Sequence, residues 1–327
     1  MTLTGSPRFR DQSEFGPTID AAADRLGISA TAVEKDYWVG EVLRVMASEF
    51  AGDFVLKGGT SLSKGYGLIQ RFSEDIDVLV LPGDRGRGAT DTLMKRMSAD
   101  AAGGIGGTAT GVGGAETGRH RSYEIAYPAL REATDLIRTS VLLEMGTRGG
   151  SEPSETVMCS GLLGIQLAQA GTDLAEFSDL EPFEIVVLHP GRTLLEKLAG
   201  IHAEAMRIGY DPEVGVNPSV GRHFYDVHEL LADARVLDLL GDRNRVELIM
   251  EEVSEVTQAH FAKTAEPIEV RPEGGFAQSP AFRLSSEISD RLRATYEETM
   301  PKLYFGTDPL PSWEAIAERV IEHRDLL

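Results

Sequence analysis

The chain has one cysteine, Cys159, in 327 residues. A lone thiol forms no internal disulfide and no thiolate zinc cluster, which predicts a protein of a reducing compartment. Positive charge is also scarce: 32 Lys and Arg stand against 52 Asp and Glu, a net charge of −20. A protein that coats long nucleic acid needs phosphate neutralisation over much of its surface, and this composition excludes that class. A local basic pocket for a nucleotide or an RNA end remains compatible with it. No apolar run reaches membrane-spanning length; residues 161–170 are too few and include Gln166 and Gln169. The first thirty residues contain no signal-peptide core. Hydrophobic residues make up 42% and charged residues 26%, which are globular values. The expectation is a soluble, cytoplasmic, acidic protein that makes no membrane contact.

Periodicity predicts the elements. Residues 19–50 read as helical, with Val33, Tyr37, Trp38, Val42, Val45 and Met46 on one face and Ser29 or Thr31 as cap. Residues 54–56 form a short apolar strand that runs into Gly58-Gly59. A short helix is expected over 60–68, a strand over 74–81 and a helix over 89–101. Residues 103–118 are glycine-rich, which predicts a mobile loop. Strands follow over 122–127, 136–145 and 183–188, and then helices over 192–207, 220–239, 242–263, 287–299 and 313–324. Strands first and helices second predict an α+β protein of two lobes, 1–185 and 186–327.

Three features of residues 54–81 carry chemistry. Gly58, Gly59, Thr60 and Ser61 offer unobstructed backbone N–H groups and two hydroxyls; at a helix start such a turn cradles phosphate oxygens. Lys57, Lys64 and Arg71 make the stretch locally positive. Asp75 and Asp77, at i and i+2 on a strand, share one face because Ile76, Val78 and Val80 claim the other. Hard oxygen ligands so spaced suit Mg²⁺. Taken singly, a Gly-Gly turn is usually only a turn, and an Asp-x-Asp pair is usually a solvated strand face. In this order, strand, Gly-Gly-Thr-Ser, Asp-x-Asp strand, they point to phosphoryl transfer.

The stretch resembles the polymerase β-type nucleotidyltransferase superfamily, marked by Gly-Gly or Gly-Ser followed by Asp-x-Asp. LKGGTSLSKGY with RFSEDIDV is similar to the AbiEii/AbiGii-type toxins, including the MenT-like group, of bacterial toxin–antitoxin and abortive-infection systems. VEKDYWVGEVL (33–43), TLLEKLAGIH (193–202) and GRHFYDVHEL (221–230) resemble further blocks of that family, so the likeness spans about residues 30–230.

The resemblance implies a nucleotidyltransferase lobe with a mixed sheet and flanking helices, followed by a mainly helical C-terminal lobe. It implies an NTP substrate, Mg²⁺, a cognate antitoxin and, through the MenT-like group, the tRNA 3′ end as acceptor. Gly58, Gly59, Thr60, Ser61 and Lys64 would hold the triphosphate, with Ser73 beside them. Asp75 and Asp77 would bind the metal. Glu144, on the strand face shared with Leu142, is either a third metal ligand or an ordinary surface glutamate. Lys197 would contact phosphates, with Asp226 across the cleft orienting it or the acceptor. The plain alternatives are a solvated or paired Lys197 on an amphipathic helix and a buried structural Asp226 bonded to Arg222. His202, His223 and His228 do not match a compact zinc signature and read as structural or RNA-facing. In some MenT-like systems the antitoxin phosphorylates the hydroxyl at the place of Ser73. A small-molecule or protein nucleotidyltransferase, or an inactive regulatory protein on the same fold, shares the Gly-Gly and Asp-x-Asp parts.

Overall fold

The structure, a computed structural model, describes residues 7–134, 137–261 and 269–327. The chain divides into two compact units. The first contains the residues up to Gly67, Phe72–Thr147 and Ser154–Leu188; the second contains Leu68–Arg71, Arg148–Pro153 and His189–Leu327. Among the described residues no helix is long and apolar enough to cross a membrane.

The first unit is built on a mixed seven-stranded sheet. Its strands are β1 (Phe54–Lys57), β2 (Asp75–Val80), β3 (Thr108–Glu116), β4 (His120–Ala126), β5 (Ser140–Gly146), β6 (Ser154–Cys159) and β7 (Phe183–Leu188). Their order is β3-β4-β5-β2-β1-β7-β6. The β2/β5 and β1/β7 pairs are parallel and the rest antiparallel. The helices are α1 (Phe15–Leu26), α2 (Ala30–Glu49), the single turn α3 (Gly58–Thr60), α4 (Arg87–Gly104) and α5 (Leu162–Gln169).

Local chemistry sets the breaks. The helix expected over 19–50 is two, because Gly27 turns left-handed (φ 68°) and closes α1, while the Ser29 hydroxyl accepts from Ala32 N and opens α2. The helix expected over 60–68 ends at Gly65: α3 passes into a wide π turn over Ser61–Gly65, where Tyr66 N donates to Ser61 O. Val33, Tyr37, Trp38, Val42 and Met46 of α2 bury against Ile76, Val78 and Val80 of β2 and Leu143 of β5. On β2 the odd positions face the other side, where Leu79 packs on Val55 and Leu188.

Two expectations fail at the sheet margins. Residues 103–118 are not a loop: α4 runs through Gly104, and Thr108–Glu116 is β3, paired with β4 from Thr108↔Ala126 onward. Gly107 is required there, since a Cβ would lie 1.9 Å from Ala126 O. β6 was not expected at all. The strand expected over 136–145 begins at Ser140, and Leu136 lies outside the described residues.

The second unit is helical: α6 (Pro190–Tyr210), α7 (Val220–Leu230), α8 (Ala234–Gly241), α9 (Arg243–Phe261), α10 (Glu287–Leu303) and α11 (Trp313–Glu322). The helix expected over 220–239 breaks after Leu230, and the Asp233 carboxylate caps α8 by accepting from Arg235 N. The expected end of α9 at Lys263 lies outside the described residues. Leu194, Leu195, Leu198 and Ile201 of α6 are buried, and Phe224 of α7 packs on Trp313 of α11 with ring centroids 4.5 Å apart.

Candidate active site

β1 stops at Lys57 and the chain turns at Gly58, whose φ of 70° is left-handed and suits glycine. The turn lies hard against β2: a Cβ on Gly58 would come 2.6 Å from Asp77 Oδ2. Ser61 Oγ donates to Gly58 O at 2.8 Å and closes the turn. Thr60 is buried, and its hydroxyl bonds to the Asp75 carbonyl and lies 3.1 Å from Ser73 Oγ. The turn of Gly58, Gly59, Thr60 and Ser61 is thereby fixed to the start of the Asp-x-Asp strand. Ser73 precedes β2, outside the strand, and is buried beside Thr60.

Asp75 and Asp77 are half-buried while Ile76 and Val78 are buried, so both carboxylates take the face away from α2. The register then sets their neighbours. Asp77 pairs with Lys57 on one side and with Glu144 on the other, and Asp75 pairs with Leu142. Residues paired across strands share a face, which places Lys57, Asp77 and Glu144 in one row. The carboxyl of Glu144 is pushed above its ordinary value, first by burial and then by the negative charges of Asp77 and Asp75; Lys57 opposes the shift. Like charges directly opposed across strands are destabilising. Among the described residues no three His, Cys, Asp or Glu side chains close around a point as a formed metal site does. The donor chemistry nevertheless fits a hard divalent cation: oxygen ligands only, crowded enough that one resists ionisation.

The positive charge suggested for this stretch is largely spent internally. Lys64 is buried, and its Nζ lies 2.5 Å from Asp36 Oδ1 rather than at an open phosphate site. Arg71 belongs to the second unit, where Nε and Nη2 donate to the two oxygens of Asp226 at 2.6 and 2.7 Å.

Asp226 is fully buried on α7 and also takes Lys197 Nζ, from α6, at 2.7 Å. It is therefore hydrogen-bonded to Lys197 within one unit rather than placed across a cleft from it, and its arginine partner is Arg71, not Arg222. Burial acts to raise the Asp226 carboxyl, but Arg71 and Lys197 outweigh it and hold it well below the carboxylate range. Burial lowers the Lys197 ammonium, Asp226 opposes that, and Arg71 adds to it. The histidines separate. His202 Nδ1 meets Ser279 Oγ at 3.0 Å, His228 meets Glu229 and Arg319, and His223 is held far below its ordinary value by burial and by Lys197.

The sequence reading missed two features. One is Arg71 as the bidentate partner of Asp226. The other is the run Glu34, Lys35 and Asp36 on α2, buried though charged. Three consecutive charges on a helix that must cover a sheet were the available signal, because buried charges require partners.

A sequence model of the family described as "Nucleotidyl transferase AbiEii toxin, Type IV TA system" matches residues 41–319. Among solved structures, the chain is similar to MenT4, a nucleotidyltransferase toxin from Mycobacterium tuberculosis, at 18% identity and a TM-score of 0.41, over 94% of this chain and 96% of that one. No curated protein gave a sequence match. With the family match covering most of the chain, the protein is a nucleotidyltransferase and belongs to the AbiEii family of toxin–antitoxin toxins.

Proposed function

We propose that this toxin moves a nucleoside monophosphate from an NTP to the 3′ end of a tRNA. The observation that carries this reading is the packing of the Gly58 turn on Asp77, beside Glu144. A phosphate-cradling turn then adjoins three carboxylates. In the reaction an acceptor hydroxyl oxygen bonds to the α-phosphorus, the bond to the pyrophosphate oxygen breaks, and the hydroxyl proton is released. Gly58, Gly59, Thr60 and Ser61 bind the triphosphate, with the Thr60 hydroxyl keeping the turn in register with β2. Asp75 and Asp77, with Glu144 as a third oxygen donor, are the residues that would hold Mg²⁺, which supplies charge neutralisation on the phosphoryl oxygens. Within the second unit, Asp226 fixes the Lys197 ammonium. Ser73, against Thr60, is the hydroxyl at which an antitoxin-directed phosphorylation would silence the enzyme.

The acidic composition supports an acceptor of which only a small part is engaged. An unpaired RNA end suits a narrow site because its bases are free of a duplex. The test is incubation with each labelled NTP, Mg²⁺ and total bacterial RNA. Label in tRNA, lost in Asp77→Asn, is the expected result. Label only in protein or in a small molecule would overturn the tRNA assignment.

A further inference from the structure

Glu34, Lys35 and Asp36 are 1%, 2% and 6% exposed on α2. Removing charges from water costs several kcal/mol per ion unless each is matched, and each is. Glu34 accepts from Leu130 N at 2.5 Å. Lys35 Nζ lies 2.6 Å from Glu74 Oε2. Asp36 receives Lys64 Nζ at 2.5 Å on one oxygen and Leu162 N at 2.7 Å on the other, and Lys64 also donates to the Asp36 carbonyl at 3.0 Å.

The partners of Lys35 and Asp36 have telling positions. Glu74 immediately precedes Asp75, and Lys64 lies in the π turn that continues the Gly58 turn. Between them the chain leaves the first unit over Leu68–Arg71 and re-enters it at Phe72. Successive helix residues point about 100° apart. Two adjacent residues of opposite charge on one helix thus grip both stems of this excursion, a cation on the returning stem and an anion on the departing one. Stability alone does not call for such an arrangement, since well-packed apolar residues in place of a buried ion pair are often neutral or stabilising. What ion pairs supply and apolar contacts do not is direction and distance.

We propose that Lys35 and Asp36 are positioning residues for nucleotidyl transfer. They fix the turn that starts at Gly58 relative to the strand entry at Glu74, so that a triphosphate held by the one meets Asp75 and Asp77 on the other. The inference rests on assigning transfer to that turn and that aspartate pair.

The experiment uses the full-length protein, labelled NTPs, Mg²⁺ and a desalted bacterial lysate as acceptor mixture. It reads kcat, KM for the NTP and Tm together. Lys35→Met and Asp36→Asn should each lower kcat by about ten- to a hundredfold, as small misplacements of reacting groups do. KM should change by less than about threefold, and the protein should stay folded at the assay temperature. Lys35→Glu should be at least as impaired, and adding Glu74→Lys should restore about tenfold of the loss by rebuilding the pair in reverse. Wild-type kcat in both Lys35→Met and Asp36→Asn overturns the proposal. So does a fall in kcat that merely follows the unfolded fraction, or a folded charge-swap variant that recovers nothing. Asp77→Asn is run alongside: full transfer by that variant refutes the site assignment and the positioning role with it, whereas a silent Asp77→Asn beside unimpaired Lys35→Met and Asp36→Asn refutes the positioning role alone.

Discussion

Gly58 and Asp77 are in contact so close that no side chain fits between them: a Cβ on Gly58 would lie 2.6 Å from the carboxylate oxygen Oδ2. Gly58→Ala therefore displaces the aspartate and also places alanine at a φ of 70°. The expected result is a loss of about 1 kcal/mol or more of stability with transfer reduced far more than folding. Thermal unfolding and turnover on one preparation check both, and wild-type turnover would remove the close approach from the account of the site.

Asp77→Asn and Asp75→Asn should abolish transfer while leaving Tm unchanged or higher. The substitution removes a negative charge that now crowds Glu144 and raises its carboxyl. Added Mg²⁺ should raise the Tm of the wild type, because a ligand that binds only the folded state stabilises it. The same titration should leave Asp77→Asn unmoved. Equal Mg²⁺ shifts in both proteins would count against the carboxylates as ligands.

Asp226 neutralises two buried cations, Arg71 and Lys197. Asp226→Ala removes the carboxylate that both cations share and should cost about 3–5 kcal/mol. Lys197→Ala should cost less, since Asp226 keeps Arg71, and should weaken NTP use. The pH dependence has a defined sign. The Asp226 carboxyl is depressed in the folded state, so its contribution is fully present above the unfolded aspartate value of about 3.9 and is lost as pH falls towards the folded value. Acid unfolding of the wild type below about pH 4 should therefore be steeper than that of Asp226→Asn, measured by circular dichroism.

Ser73 Oγ lies 3.1 Å from the Thr60 hydroxyl, in a buried segment two residues before Asp75. Ser73→Asp should silence transfer, because the added charge sits where the triphosphate turn is tied to β2. Phosphorylation, which adds close to two charges, should do the same. Ser73→Ala should retain most activity. Full turnover by Ser73→Asp would contradict this placement.

Periodate-oxidised tRNA, which lacks a usable 3′ hydroxyl, should accept no label. Binding of intact tRNA should weaken with salt, but with a shallow slope, because a chain of net charge −20 contacts few phosphates. Equal labelling of oxidised and intact tRNA would dismiss the 3′ end as acceptor.

The sequence by itself determined the central features. Ile76, Val78 and Val80 must face a core, so Asp75 and Asp77 had to share the opposite face, and the structure places them there. The same alternation put Glu144 on the face away from Val141 and Leu143. Central strands and amphipathic helices bury enough apolar surface to write a period into the chain. β3 and β6 did not, and they are the two edges of the sheet. An edge strand has one paired side and mostly exposed residues, so its glycines and polar residues read as a loop. Only the tertiary structure decided who partners the charges. Lys64 with Asp36, Lys35 with Glu74 and Arg71 with Asp226 are separated by 28, 39 and 155 residues. No local period records such pairs, because a buried charge is satisfied by whatever the fold brings within about 3 Å, wherever it lies in the chain.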